Sequence, residues 1–402
     1  MTLTATDVAA PLARYARRFH AAIGAGHHVA SPLGAWLLLA LCATASEAGA
    51  LGATLGCDPA EAADLAAALL ASPHPLVPAA AAAWIRPGKM TERVSRWLAG
   101  LPPEVETGPL LSQADLDDWA RRHTFGLIER FPLGEEKDLW LLSATVLATR
   151  VSWERPFDLA PASALGASSP WPARLSRVLR TPDGPGHEQF IAATGAAGDV
   201  AVHTAHARGG LLVTSVAAAP DVPAADVLAV AFDLAVAVAL GGRVTRRSLF
   251  DLPLGEGPLW AVTEQRADAA GGEERCTAVL PAWPARSKHD LTHPDLGFAA
   301  AAAALAPGER WKAGQAAMAR YGRVGFEAAA VSAVMIGASM VAPRQRLIRT
   351  AGLRFGHPFA VVAVSVDEPG RGRPAHGPWH GLPVFSAWVT QPEDAGDWAR
   401  GA

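Results

Sequence analysis

Four consecutive residues, Ser287, Lys288, His289 and Asp290, carry the side-chain types of a hydrolytic triad. In such a triad, histidine takes the proton of the serine hydroxyl while aspartate orients the imidazole. Neighbours in sequence rarely form this arrangement, and no Gly-x-Ser-x-Gly motif is present to place a nucleophilic serine on a sharp turn. The segment therefore gives little support to a serine hydrolase.

Histidine pairs are the other candidates for chemistry, because imidazole is a common zinc ligand. The pairs at helical or turn spacing are His27 with His28, His203 with His206, and His376 with His380. No cysteine or carboxylate completes a ligand set around any of them, and the last pair lies in a stretch rich in glycine and proline. We therefore expect neither a metal site nor a bound cofactor.

The composition is that of a folded globular protein. The chain has 402 residues, of which 50% are hydrophobic, enough for one large domain or two ordinary ones. A net charge of −3 favours neither nucleic acid nor an anionic membrane as a partner. The three cysteines, Cys42, Cys57 and Cys276, have no metal-ligand spacing, and their odd number fits a reducing compartment or one incidental bridge.

The sequence contains no evident targeting segment. Its first residues lack a basic start followed by an apolar run, and Arg14, Arg17 and Arg18 follow soon after, so no signal peptide is predicted. The most apolar stretch, residues 222–240, includes aspartate and alternates in places like a strand, which is untypical of a transmembrane helix. We expect a cytoplasmic protein, with export by another route left open.

Helices and strands are mixed along the chain without a βαβ rhythm. Apolar spacing predicts a helix over residues 112–130, and a second helix starting at Ser31 is apolar on every side and should be buried. Residues 139–153 are predicted to form a long central strand. Between about 160 and 275, short alternating runs, including 227–238, predict several antiparallel strands. This order indicates an α+β fold, and no domain boundary is visible.

A run of small residues marks the region after residue 324. The run comprises Gly325, Phe326, Glu327, Ala328, Ala329 and Ala330, and continues to Ala333. About twenty residues without a hydrophobic period follow it. Small side chains would allow a strand to enter between packed neighbours. The same tract is also a good helix former, so by itself it leaves both structures open.

Six features, taken in order, resemble the serpin family. They are Ser31-Pro32-Leu33, residues 142–157 with Trp153, Leu280-Pro281-Ala282-Trp283, the small-residue run at Gly325, His357-Pro358-Phe359, and residues 382–389. They span almost the whole chain at roughly the spacing of the family. On these motifs the chain is similar to a bacterial serpin-like protein.

The resemblance implies a single domain over residues 1–402, with three β-sheets and eight or nine helices. The large central sheet A would have five strands and accept a sixth. An exposed reactive loop over about 325–352 would supply that strand, with the small-residue run as its hinge. The residues that match the region where the sheet opens are Ser31, Thr145, Trp153 and Gln315.

The implied function is inhibition of a serine protease by a suicide mechanism, which is not enzymatic because the inhibitor is consumed. A protease would attack the loop and form an acyl-enzyme. Insertion of the cleaved loop into the central sheet would then drag the protease across the inhibitor and distort its catalytic site before hydrolysis. We expect a monomer whose partner is a serine protease, with neither nucleic acid nor a membrane involved.

Counting from Gly325 as the fifteenth residue before the cut places the scissile bond between Ser339 and Met340. The small side chain of Ser339 favours elastase-like or subtilisin-like proteases. Met340 and Arg344 are the second and third choices for the specificity residue. If Arg344 were that residue, the target would be a trypsin-like protease. A cut after Arg344 would lengthen the inserted segment by about five residues, roughly 16 Å. The longer segment would be slacker, so the attached protease would be distorted less.

Five positions depart from the family pattern. Phe326 stands where inhibitors usually have threonine, and Arg323 stands where an acidic residue is expected. Thr145 and Gln315 replace a buried asparagine and histidine, and Gly34 replaces a second early serine. An unaccommodated phenyl ring would slow insertion and turn an inhibitor into a substrate. The alternative function is therefore that of a non-inhibitory serpin-like binding or structural protein.

Overall fold

A computed structural model describes most of the chain. The described residues are 5–45, 51–131, 139–149, 151–269, 273–305, 307–325, 344–367 and 377–396. Within them the α-helices are α1 (Ala5–Ile23), α2 (Pro32–Ala43), α3 (Gly52–Leu55), α4 (Pro59–Ala71), α5 (Glu92–Ala99), α6 (Gln113–His123), α7 (Ala224–Ala239) and α8 (Phe298–Leu305).

The strands of the same described residues are β1 (His28–Ala30), β2 (Ala79–Ile85), β3 (Glu106–Pro109), β4 (Leu141–Leu147), β5 (Asp158–Pro161), β6 (Arg177–Arg180), β7 (His187–Thr194), β8 (Gly198–Ala207), β9 (Leu211–Ala217), β10 (Gly255–Glu256), β11 (Trp260–Ala269), β12 (Glu274–Leu280), β13 (Trp283–Asp290), β14 (Trp311–Tyr321), β15 (Arg344–Arg354), β16 (Phe359–Ser365) and β17 (Pro383–Val389).

These strands form three sheets, as the resemblance implied. The central sheet has five strands in the order β13-β14-β4-β2-β3. The rear sheet has six strands in the order β1-β17-β16-β9-β8-β7, and the end sheet has six in the order β10-β11-β15-β12-β6-β5. The three sheets and the eight described helices confirm the predicted α+β class.

The main core lies behind the central sheet, where helix α2 packs against β4 and β17. Every residue of α2 is buried, as its uniformly apolar sequence predicts. The helix begins at Ser31, whose hydroxyl accepts a hydrogen bond from the Gly34 amide at 3.1 Å, with Pro32 in the first turn. Thus the predicted cap and proline place α2 behind the strands that form the site.

The other face of the central sheet is covered by α6. Trp119 of α6 packs edge to face on Trp84 of β2, with ring centroids 5.0 Å apart. Leu142 and Val146 of β4 belong to the same buried cluster. Because both faces of β4 are buried, all seven of its residues are apolar or small, as expected for a covered central strand.

Three predicted elements differ from the structure in type or length. Residues 227–238, predicted as a strand, belong to α7, because the buried Val227, Val230 and Ala231 form one helical face against the rear sheet. Helix α6 ends at His123 rather than near residue 130. Just after this end, Phe125 and Gly126 have positive φ angles of 54° and 76°, which a helix cannot continue through. Strand β4 covers only part of the predicted 139–153.

Candidate functional site

The central sheet is incompletely closed between β4 and β14. These two strands run parallel and pair over only four positions, from Trp311 with Leu141 to Gly314 with Ala144. Strand β14 continues for seven further residues, 315–321, for which no partner on β4 is found among the described residues. Among the described residues, the space beside this part of β14, on the side of β4 and toward Trp153 and Gly325, therefore holds no strand, and we call this space the slot.

Three of the residues expected at the sheet opening meet at the closed end of the slot. Gln315 accepts a hydrogen bond from the Ser31 amide at 2.8 Å and donates one to the Ser31 carbonyl at 2.7 Å. Thr145 donates its hydroxyl proton to the Gly34 carbonyl at 2.9 Å. Both strands beside the slot are thereby tied to the first turn of α2.

Two departures from the family pattern, Gly34 and Gln315, fit each other. A Cβ atom at position 34 would lie 2.8 Å from a methyl group of Leu147 and 3.2 Å from the Gln315 side-chain nitrogen. A side chain at position 34 would therefore require the Leu147 methyl group to move and the Gln315 nitrogen to give by a few tenths of an ångström. Glycine at position 34 avoids both adjustments and leaves the bonds between Gln315 and Ser31 undisturbed.

Trp153 lies at the open end of the slot and stabilises the packing there. Its side chain is 2% exposed, and its indole N–H donates to the Gly322 carbonyl at 2.8 Å. The ring packs against Tyr321 at 4.9 Å and Phe157 at 6.1 Å between centroids. The residue is thus a core anchor that fixes the last described turn of the chain before position 326.

Arg323 adds to this anchor although the family pattern has an acidic residue there. Its guanidinium donates to the Phe157 carbonyl at 3.1 Å, and the Phe157 amide donates to the Arg323 carbonyl at 2.9 Å. A carboxylate could not donate the first of these bonds. Arginine therefore has a structural explanation at this position.

Gly325 is the last described residue before Arg344. It forms an isolated bridge with Ser152 and has a φ of +92°. A Cβ atom here would lie 2.2 Å from the Val151 carbonyl oxygen and 2.8 Å from the Ser152 Cα. Only glycine fits, because both the backbone angle and the close approach exclude a side chain.

The remaining hinge residues and the predicted reactive bond lie outside the described residues. They are Phe326, Glu327, Ala328, Ala329, Ala330, Ser339 and Met340. The chain is described again at Arg344, where β15 begins. The expected loop of about 325–352 is therefore too long at its C-terminal end, because residues 344–352 are paired in the end sheet.

The arginines after the loop have structural roles in that sheet. Arg349 bonds Glu264 at 2.8 Å and donates to the Leu249 carbonyl at 2.7 Å, and its side chain is only 16% exposed. Arg346 pairs with Glu273 at 3.5 Å. Arg344, the third choice for the specificity residue, is the first residue of β15 and is paired with Ala269.

The residues with triad chemistry do not form a triad. The Ser287 hydroxyl accepts the Val29 amide at 3.0 Å, and His289 bonds the Val29 carbonyl at 2.7 Å. Asp290 accepts the amide of Thr292. These groups instead join β13 to β1 and to the following turn, which agrees with the low support from sequence.

Two buried histidine pairs were missed in the sequence because their members come from different elements. His20 and His28 lie 3.0 Å apart between ring nitrogens, and His187 and His203 lie 3.1 Å apart. Burial lowers the pKa of His28 and of His187 to about 4 each. No cluster of three potential metal ligands is found in the part of the chain that the structure describes.

Comparison with known proteins gives a match in structure but not in sequence. No family model and no curated protein matches the chain. Among solved structures, the native state of the thermophilic serpin tengpin superposes with a TM-score of 0.64 at 11% identity, covering 96% of this chain and 93% of that one. The chain has the serpin fold.

Two other structures support this, and one of them is a complex with a small ligand. A serpin from the trematode Schistosoma haematobium has a TM-score of 0.59 at 13% identity, covering 97% of this chain and all of that one. Human thyroxine-binding globulin in complex with thyroxine has a TM-score of 0.64 at 12% identity, covering 97% of this chain and 100% of that one. Since one serpin structure holds a small ligand, the serpin fold alone does not fix the function.

No helix in the described residues has the length and apolar character needed to cross a membrane. The longest, α1, has 19 residues and carries Arg14, Arg17 and Arg18. This finding agrees with the sequence prediction for residues 222–240, most of which form α7 of this serpin fold.

Proposed function

We propose that this protein inhibits a serine protease by a suicide mechanism, in which the segment after Gly325 enters the slot as a new strand once the protease has cut it. The observation that carries the proposal is the slot itself, with Gly325 at its open end. The protein would act as a cytoplasmic monomer of one domain. It would not be an enzyme, because each molecule is used once.

The direction of the strands supports this mechanism. Strands β4 and β14 are parallel and both run toward the end where Gly325 lies. A chain that reverses direction after Gly325 would run antiparallel to both strands and could pair with each. With residues 326–339 extended at about 3.3 Å each, the new strand would be roughly 46 Å long. Its full entry requires separation of the four existing pairs between β4 and β14.

The entry of this strand would be favourable in free energy. Each ladder hydrogen bond contributes about 0.5–1.5 kcal/mol net, so ten new bonds would contribute on the order of 5–15 kcal/mol. Burial of the side chains adds to this value. Ser31, Thr145, Gln315 and Trp153 would be the residues that the entering strand passes, since they lie behind or beside the slot.

We assign the reactive bond to Ser339 and Met340. The start of β15 at Arg344 supports this choice over a cut after Arg344, because the Arg344 backbone is paired with Ala269 and a protease requires an unpaired, extended substrate. The small Ser339 side chain suits elastase-like or subtilisin-like enzymes. A trypsin-like target is the weaker candidate.

A second candidate is a non-inhibitory binding or structural protein with the same fold. Phe326 favours it, because a large side chain at the first position to enter would oppose insertion. The thyroxine complex among the similar structures also supports a binding role. The replacement of Phe326 by threonine separates the two: a gain of inhibition would mean that the native hinge is non-inhibitory, whereas equal inhibition by the parent and the variant would mean that the ring is tolerated.

The direct test is incubation with pancreatic elastase, subtilisin and trypsin, followed by denaturing gel electrophoresis and mass measurement of the released fragment. We expect a covalent complex and a C-terminal fragment that starts at Met340. A variant with Ser339→Pro, which blocks the cut, is the matched control and should give neither product. Clean cleavage of the parent protein without a complex, for all three enzymes, would contradict the inhibitor proposal.

A further inference from the structure

Three polar side chains lie together in the main core, between the rear sheet and the central sheet. His203 of β8 and Ser215 of β9 are directly opposite each other in the rear sheet. Both point into the main core, because strand residues alternate and their neighbours on the same face, Ala205 and Val213, belong to that core. Tyr321 is the last residue of β14 in the central sheet. His203 and Ser215 are 0% exposed and Tyr321 is 2% exposed, so bulk solvent does not reach them.

Contacts with the surrounding rings show that the three groups are neighbours. The Phe157 ring lies 5.5 Å from that of His203 and 5.8 Å from that of Tyr321, between centroids. Burial raises the pKa of the Tyr321 phenol, and the nearby Ser215 hydroxyl lowers it in part. The Tyr321 ring also packs on Trp153 at the open end of the slot. The cluster therefore lies where one strand of the central sheet meets two strands of the rear sheet.

The hydrogen bonds of the histidine pair decide which nitrogen of His203 carries its proton. The Nε2 atom of His187 bonds the Arg155 carbonyl at 2.8 Å and must hold a proton, because a carbonyl only accepts. Burial lowers the pKa of both rings, so both are neutral at pH 7 and His187 Nδ1 is an acceptor. The bond of 3.1 Å to that atom therefore comes from His203 Nε2. His203 Nδ1 is left as an acceptor without a proton.

Three polar atoms of the cluster have no hydrogen-bond partner among the described residues. They are His203 Nδ1, Ser215 Oγ and Tyr321 Oη. Buried polar groups are normally paired, and here three exceptions occur in one place. The histidine nitrogen can only accept, whereas each hydroxyl can donate and accept. A single small molecule that donates two hydrogen bonds and accepts one would satisfy all three.

A cavity beside Tyr321 limits the size of that molecule. Its volume is about 50 Å³, and Val213 and Trp153 also line it. One water needs about 10–15 Å³ measured in this way, whereas a cavity that admits benzene has about 150 Å³. The space is thus sufficient for water and too small for an aromatic ligand. Because most of the lining is apolar, the three unpaired atoms mark the position where water can be held.

We propose that an ordered water molecule is bound by His203 Nδ1, Ser215 Oγ and Tyr321 Oη. The water donates one proton to the His203 nitrogen and the other to the Tyr321 oxygen, and it accepts from the Ser215 hydroxyl. It completes a hydrogen-bonded path from β14 through both histidines to the Arg155 carbonyl. The site links the strand beside the slot to the rear sheet. It does not depend on the proposed function, since it involves neither a protease nor insertion of the loop.

The first test is a crystal structure of the intact protein at a resolution that shows ordered water. We expect a density peak within about 2.5–3.2 Å of all three atoms. Direct hydrogen bonds among the three side chains would overturn the proposal, and so would a well-defined cluster without a peak. Failure of the protein to inhibit any protease would leave this result unaffected, so the two proposals are judged separately.

The second test counts long-lived internal waters in solution by oxygen-17 magnetic relaxation dispersion. The double variant Ser215→Ala with Tyr321→Phe keeps the ring but leaves one partner, fewer than a buried water needs. It should hold one water fewer than the parent protein. Thr214→Val is the matched control, because it removes the adjacent buried hydroxyl of β9, whose bond to Thr204 is direct at 2.9 Å. The control should keep the full count.

An equal count in the double variant and the parent protein would contradict the site. An equal loss in Thr214→Val would also contradict it, because the lost water would then not belong to this cluster. If the double variant fails to fold, the crystal structure of the parent protein decides alone.

Discussion

The two ends of the segment 326–343 are held in different ways. At the C-terminal end, β15 lies between two neighbours and pairs with β11 over ten positions and with β12 over six. At the N-terminal end, β14 pairs with β4 over only four positions and leaves the slot beside residues 315–321. One end is thus anchored in a filled ladder and the other enters an incomplete one.

This difference indicates which end of the segment can move. Release of β15 would break hydrogen bonds on both of its edges, whereas a strand entering the slot would form bonds with edges that have no partner among the described residues. If residues 326–339 entered the sheet without a cut, the four residues 340–343 would have to span most of its length, which they cannot. Cleavage is therefore the event that would permit insertion.

The largest expected effect concerns the aromatic anchor of the open end. Trp153→Ala removes a buried ring and its hydrogen bond to Gly322, and we expect a loss of about 3–5 kcal/mol in the free energy of unfolding. Trp260→Ala at the anchored end, where the ring is only partly buried, should lose less. Urea denaturation measures both. Equal losses would mean that the open end does not depend on Trp153.

Hydrogen exchange compares the two ends directly. Amides of residues 315–319 that face the slot have no ladder acceptor on that side among the described residues, so they should exchange on the order of 100-fold faster than the amides of residues 345–353. Cleavage with insertion should remove the difference. Exchange measured by mass spectrometry, with equal protection of both segments in the intact protein, would contradict the slot.

The glycine at the slot entrance gives the next effect. Gly325→Ala meets both a positive φ and the Val151 carbonyl, and should cost about 2–4 kcal/mol. Gly308→Ala is the matched control, since the φ of Gly308 is +80° but nothing lies within 4 Å of the new Cβ. It should lower the free energy of unfolding by about 1–2 kcal/mol. Similar losses in thermal unfolding would show that close contact at position 325 is unimportant.

The fit between Gly34 and Gln315 predicts a coupling. Gln315→Ala leaves the buried amide and carbonyl of Ser31 without that partner and should cost about 2 kcal/mol. Gly34→Ala should cost about 1 kcal/mol less in that background than in the parent protein, because one of its close neighbours has been removed. Additive losses in a double-mutant cycle would refute the compensation. Gln265→Ala, on the exposed face of β11, is the control.

The smallest effect is that of pH on the His187–His203 pair behind the open end. Burial, with the neighbouring histidines, lowers the pKa of both rings below the unfolded value of 6.5, with that of His187 at about 4. The nearby Arg155 and His206 also oppose protonation of His187. The unfolded chain therefore binds more protons below pH 6.5, and the free energy of unfolding should fall as pH decreases from about 6.5 to 4. His203→Gln should reduce this fall by roughly 1 kcal/mol in denaturant titrations at pH 7 and 4.5; an unchanged fall would contradict the assignment.

Much of the fold was predictable because its signals are local. The cap at Ser31, the apolar character of α2 and the presence of several antiparallel strands between 160 and 275, such as β8 and β9, follow from neighbouring residues, and the order of six motifs indicated the fold correctly. Residues 227–238 were predicted wrongly because short valine and alanine runs suit a strand and a helix alike. Packing on the rear sheet selected the helix.

The site was predicted in its members but not in their relations. The family resemblance implied that Ser31, Thr145, Trp153 and Gln315 belong to one region; in the structure three of them lie at the start of α2, and Trp153 bonds Gly322. That Gly34 and Gln315 compensate each other, and that Arg323 donates to Phe157, could not be read from the sequence, because each pair is formed by residues far apart in the chain.

The sequence by itself determined the helix cap, the glycine at 325 and the small residues that follow it, since these depend on residue type and local spacing. Only the tertiary structure decided that β15 begins at Arg344, that the slot ends at Gly314, and that an apolar cavity lies beside Trp153 and Tyr321. The physical reason is that strand pairing and voids depend on which distant segments meet, and no local pattern encodes that choice.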